Sequence, residues 1–294
     1  MSQATRTQVV PGQEIHEHRG VVGLSTMSRV TLGLTAVAGL FAFAWPLLVP
    51  AGSELPATTA PLVFALVLPF ILLVVLSELG SSGMDAKGLA MLGVLTAICA
   101  ALRPLGAGTA GIELVFFPMI IAGRVFGPGF GFALGSLSMF ASAILTGGVG
   151  PWLPYQMVAA GFVGLGAGVL PRAARGWREI VMLCGYSAVA AFVYGWLMDF
   201  AFWPFGIGPD TQFSFDPMAG PLENLHTFVL YNAVTSMGWN LGRAVTSVVM
   251  IAILGRPLLT ILRRARRAAH FTPVAGEKPA TGSSPGVGNN RGLG

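Results

Sequence analysis

Charge is what this chain has least of. Asp, Glu, Lys and Arg together make up 10% of its 294 residues, whereas soluble domains carry about 25%. That deficit excludes a protein whose whole surface faces water. Cysteine is nearly missing as well. Cys99 and Cys184 both lie inside apolar runs. They make neither a disulfide framework nor a CxxC metal pair, and they read as small hydrophobes.

Catalytic signatures are absent in the same way. No GxxxxGK[ST] occurs, so the chain does not hold ATP in a P-loop. There is no HExxH, no GxSxG and no paired-carboxylate motif, and no aspartate cluster to hold magnesium on a diphosphate. An enzyme is therefore not expected, and neither a cofactor nor a metal. GLGAG (Gly164–Gly168) looks like a dinucleotide fingerprint, but it sits in an apolar run with no strand before it. It reads as close helix packing through small residues, as does the GxxxG pair Gly131 and Gly135. His16 and His18 belong to a polar tail, and His226 and His270 stand alone.

What is present is hydrophobicity: 54% of the residues, with a mean hydropathy of +0.73. Crossing a bilayer takes roughly 20 apolar residues as a helix. Eight spans are expected, near 29–48, 60–76, 86–102, 112–125, 129–145, 156–170, 180–203 and 228–262. The runs are continuous rather than alternating, which excludes a barrel and leaves an all-α integral membrane protein. A polar, uncleaved tail over 1–28 precedes the first span. Residues 269–294, rich in Gly, Pro, Ser and Asn, are expected to be disordered. The eighth run would be about 50 Å long as one helix, against a core of about 30 Å. Gly238 and the stretch Gly255-Arg256-Pro257 are the expected places for it to kink or end.

Of the 17 Lys and Arg, all but Arg103 and Arg243 fall on one side of this eight-span layout. That side is expected to be cytoplasmic, with both termini inside. The opposite loops hold Arg103 with Glu54, Asp210, Asp216 and Glu223. The cluster Arg263, Arg264, Arg266 and Arg267 reads as an anchor to anionic lipid or to a cytoplasmic partner.

Polar residues inside spans are costly and are functional hypotheses by default. In LYNAVTSMGWNLGRAV, Asn232, Ser236, Asn240 and Arg243 recur at helical spacing and share one face, flanked by Thr235 and Trp239. Either this stripe lines a cavity open to the outside, or Arg243 pairs with Asp199 or Glu113 and fixes the bundle. The uncharged loop TGGVGPWLPYQ (residues 146–156) carries Trp152 and Tyr155, suited either to an aromatic belt or to the rim of a site. Trp196, Asp199 and Trp203 pose the same choice. Ala97 and Ala101 form an AxxxA pair that admits a close helix neighbour.

These residues also carry a resemblance. GRVFGPGFGFALG (Gly123–Gly135), GGVGPWLPYQM (Gly147–Met157), NLGRAV and LGRPLLTILRR follow one another as in the substrate-binding S component of energy-coupling factor (ECF) importers. The resemblance covers about 86–267. It implies a six-helix substrate-binding bundle over 84–268, preceded by two extra helices over 29–78. It further implies vitamin capture at the outer face, and docking through Ala97 and Ala101 on a transmembrane coupling protein that carries two ATPases. GPWLPYQM is most similar to the cobalamin-type branch. Tyr155 stands where that branch usually has Phe, and Asn240 where it often has an acid. The expected ligand contacts are Trp152, Tyr155, Gln156, Trp196, Asn232, Trp239, Asn240 and Arg243. The competing expectation is a secondary transporter driven by an ion gradient, with Glu113 and Asp199 as candidate coupling acids.

Overall fold

A computed structural model describes residues 26–48, 86–106, 109–207 and 211–270. The described residues form helices and no strand. The expected span at 60–76, nearly all of the N-terminal tail and the residues after His270 lie outside them. In chain order the helices are α1 (Thr26–Phe43), the single turn α2 (Trp45–Leu48) and α3 (Ala86–Leu102), which a 3₁₀ turn extends over Arg103–Gly106. Then come α4 (Phe116–Phe126), α5 (Pro128–Thr146), α6 (Leu153–Val169), α7 (Trp177–Gly206), α8 (Pro221–Thr235) and α9 (Met237–His270).

Among the described residues four segments are long and apolar enough to cross a membrane: Ala86–Gly106, Pro128–Thr146, Trp177–Phe205 and Met237–Arg267. With the shorter α4 and α6 they make a six-helix bundle. Val181, Val189 and Val193 on α7, and Leu241, Val245, Val249 and Ile253 on α9, are exposed at steps of about one or two turns. These are lipid-facing stripes, and the inward faces form the core. α4 differs from its neighbours because it is apolar around its circumference except for Arg124 in its last turn, and is almost wholly buried. Its 11 residues reach only about 16 Å, too short to span, and the other helices enclose it.

α4 turns into α5 through a single residue. Gly127 has φ 106°, a backbone shape open to glycine and hostile to side chains. Pro128 then opens α5 at the first helical position, where its missing N–H costs nothing. Three helices are drawn together along a glycine seam. A Cβ added at Gly123 or Gly131 would strike the carbonyl of Gly164, one at Gly164 would strike the carbonyl of Gly131, and one at Gly135 that of Ala160. The small residues of GLGAG and of the GxxxG pair therefore serve helix packing. Because the obstacle is backbone on both sides, it has no rotamer through which to yield. Gly164→Val is expected to abolish folded protein, seen as loss of the monodisperse peak in size-exclusion chromatography, whereas Gly185→Val, at an open site, leaves the peak intact.

The first expected extra span contains α1, which lies on α6 and α7. Gly39 faces Val158 and Phe162. Phe43 is buried and meets the Tyr155 ring edge-on at 5.1 Å. Trp45 stacks on Phe205 at 5.3 Å and donates its indole N–H to the Ala201 carbonyl at 3.0 Å.

Two expectations are corrected here. The fourth span begins at Phe116 rather than near residue 112, because Ala110 (φ 43°) and Gly111 (φ 78°) form a tight loop. The eighth run is two helices, and it breaks at Ser236 instead of at Gly238. Thr235 Oγ1 donates back to the Tyr231 carbonyl at 2.7 Å and lies 3.2 Å from the Ser236 hydroxyl. Hydroxyls that compete for backbone groups bend helices in this way. No end occurs at Gly255-Arg256-Pro257, since α9 continues to His270 with Pro257 inside it. Its last turns are tied down by Arg263 to Glu179 at 2.6 Å and by Arg266 to the Val125 carbonyl at 2.8 Å.

Arg263 belongs to a charged clamp at one end of the bundle. Glu179, 1% exposed, accepts from Arg124 Nε at 2.7 Å and from Arg263 Nη2. Arg124 also donates to the carbonyls of Leu170, Pro171 and Ala174.

Candidate functional site

α5 runs from the charged clamp to a cavity at the other end of the bundle. The cavity measures about 460 Å³ and draws its walls from five helices and two loops. The end of α3 supplies Arg103, Pro104 and Gly106, and the following loop gives Gly111, Ile112 and Glu113. Ser142 and Thr146 come from α5, Gly148 and Trp152 from the glycine-rich loop, and Gln156 from α6. Tyr194 and Met198 on α7, with Trp239 and Arg243 on α9, close the far side.

The glycine-rich loop is shaped by its sequence. Gly147 takes the left-handed conformation (φ 66°) that ends α5, and Gly148 N–H reaches back to the Ala143 carbonyl at 2.9 Å. This is the six-to-one bond of a glycine C-cap. Trp152 then folds over the loop, with its indole N–H 3.3 Å from the Gly148 carbonyl, and stays 44% exposed at the rim.

Arg243 organises the opposite wall. It donates from Nη2 to Glu113 Oε1 at 2.7 Å, and from Nη1 to Asn240 Oδ1 at 2.9 Å and to the Ala191 carbonyl at 3.2 Å. Its guanidinium lies 5.0 Å from the Tyr194 ring centre and 5.7 Å from that of Phe116. Glu113 is the partner, and Asp199 instead accepts from Asn232 Nδ2 at 2.6 Å. The loop is held against α9, since a Cβ at Gly111 would strike the Trp239 carbonyl and one at Gly242 the Ala110 carbonyl. Across the cavity, Arg103 Nη2 donates to Gln156 Oε1 at 3.0 Å and Nη1 approaches Ser142 Oγ at 3.4 Å.

A family model described as the ECF transporter substrate-specific component matches residues 87–263, more than half of the chain. The chain belongs to that family. ECF substrate-specific components are multi-pass membrane subunits of transporters, not enzymes. Each works with an ECF module, in which a transmembrane protein is joined by ATPases that hydrolyse the ATP, and each takes a small substrate. No curated protein and no solved structure matches the chain.

Of the eight residues expected to contact ligand, the structure brings Trp152, Gln156, Trp239 and Arg243 to the cavity wall of this substrate-specific component. Asn240 stands behind Arg243. Tyr155 is buried between Phe43 and Phe202. Trp196 packs edge-on against Phe228, and Asn232 lies with Asp199. Sequence reasoning passed over Arg103, Ser142 and Tyr194 as cavity residues. Arg103 carried a readable signal, as the sole basic residue of the loops expected to be outer.

Proposed function

We propose that this chain captures a vitamin-sized compound at the outer membrane surface and presents it to an ATP-driven ECF module. The observation that carries this reading is the cavity at the end of the bundle away from the Arg124–Glu179–Arg263 clamp. Basic residues mark the cytoplasmic side, so the cavity opens outward and both termini lie inside. A pocket of about 460 Å³ falls in the range that encloses small ligands. Its aromatic faces would contact the ligand body, and Gln156 and the Arg residues would fix its orientation.

The docking face for the module would be α3. Ala97 and Ala101 are exposed there, and one turn earlier Gly93 has open space around it. A small-residue strip of this kind lets another helix approach closely.

Two readings of the ligand compete, each with one observation behind it. GPWLPYQM favours cobalamin. The cavity volume favours something smaller, because a corrinoid would have to sit across the mouth rather than inside. Calorimetry of cobalamin against the purified chain in detergent tests the first. Tight one-to-one binding without turnover supports it, and no heat from a folded sample removes it. Uptake in cells then tests the energy source. Uptake that survives loss of the partner ATPases but collapses with the proton gradient would replace the importer reading with a secondary transporter.

A further inference from the structure

The charge balance of the cavity goes further than its size. Among the described residues three charged side chains line it: Arg103, Glu113 and Arg243. Glu113 and Arg243 neutralise one another at 2.7 Å. Arg103 has only neutral acceptors, Gln156 and Ser142, and among the described residues no carboxylate pairs with it. Over the described residues the cavity therefore carries one net positive charge, held in a partly enclosed space walled by Trp152, Tyr194 and Trp239.

A half-buried guanidinium without a counter-charge is less well compensated than one in water. It is also a fork of donors suited to a planar oxyanion. Gln156 and Ser142 hold the fork from two sides, so its direction is set before any ligand arrives. Asp199 on α7 does not line the cavity and is engaged by Asn232.

We infer that the cavity selects an organic anion: a vitamin-sized molecule whose carboxylate or phosphate meets Arg103 while its apolar body lies between the aromatic walls. This rests on the reading of the cavity as the capture site.

Affinity selection tests it directly. The full chain in detergent is incubated with an equimolar mixture of biotin, pantothenate, nicotinate, folate and pyridoxal phosphate, together with nicotinamide, riboflavin, thiamine, pyridoxine and cobalamin. Retained compounds are identified by mass spectrometry. The expected result is retention of one or more of the anions. Arg103→Gln should then weaken the retained anion by roughly 10- to 100-fold, and Arg103→Lys should recover part of the loss. Retention of a neutral or cationic member, cobalamin included, overturns the inference and leaves substrate capture standing. So does an anion whose affinity Arg103→Gln leaves unchanged. Retention of nothing by a cooperatively melting sample overturns the capture reading together with it. The charge of whatever is retained decides the matter even if the Arg103 variants do not fold.

Discussion

Glu179→Ala is expected to destabilise the bundle by about 3–5 kcal/mol, the loss typical of breaking a buried ion pair from one side. Glu179 is 1% exposed, and the Arg124 side chain that faces it is 4% exposed. Without the carboxylate, Arg124 keeps its three carbonyl acceptors but remains a cation with no counter-charge. The second arm of the clamp contributes less. The Arg263 side chain is 41% exposed, where water screens the pair, so Arg263→Ala should cost only about 0–1 kcal/mol. Melting in detergent separates the two. A large drop for Glu179→Ala with a small one for Arg263→Ala supports this account, and equal drops would refute it. Loss of the clamp also frees the last turns of α9, so limited proteolysis near residues 262–267 should quicken in both variants.

The second large effect is expected at Arg243. Its side chain is 9% exposed and that of Glu113 is 27% exposed, so truncation to Ala strands a carboxylate in the cavity wall. A loss of about 3–5 kcal/mol is again the scale. Arg243→Lys should recover little of it. One ammonium cannot make the directed bonds to Glu113, Asn240 and Ala191 that the planar fork makes. The signature is local. Hydrogen exchange over residues 109–115 should rise sharply in Arg243→Ala, because the loop loses its charged tether. Glu179→Ala should leave that loop protected. If both variants raise exchange everywhere alike, Arg243 is a general stabiliser and not the organiser of this wall.

How legible the molecule was in its sequence depended on which physical rule was in force at each place. In lipid every backbone group must be satisfied within the chain, so apolar runs read as helices, and α3, α5, α6 and α7 lie close to where they were expected. The rule weakens where backbone is enclosed by protein. The loop at 109–113 reaches into the start of a stretch that read as a span and is held by contacts distant in sequence, and the break at Ser236 lies inside another such stretch, where hydroxyls compete for the backbone. Proline at 257 misled for the same reason, since Glu179 and Val125 hold the helix end from other elements. The candidate site divided along similar lines. Trp152, Gln156, Trp239 and Arg243 were visible because each is polar or amphipathic in an apolar setting. Tyr155 met that criterion too, yet α1 covers it, and α1 belongs to the segment whose role the sequence left open. Helical spacing put Asn232, Asn240 and Arg243 on one face, and all three are buried. The break at Ser236 then directs Asn232 to Asp199 and leaves only Arg243 of the three at the cavity.

The glycine seam joins α4, α5 and α6, which are consecutive in the chain, whereas the bond from Arg243 to Glu113 spans 130 residues. Contacts between sequence neighbours close cheaply and early, and distant ones close late. As the chain enters the membrane from its N-terminus, the central three helices can assemble before α9 has been made. The wall formed by Trp239 and Arg243 is then the last to be set in place. A chain interrupted before α9 would hold the glycine seam but would lack Ile251 and Leu259 of the core and one wall of the cavity, so the proposed capture site could form only after α9 has been made.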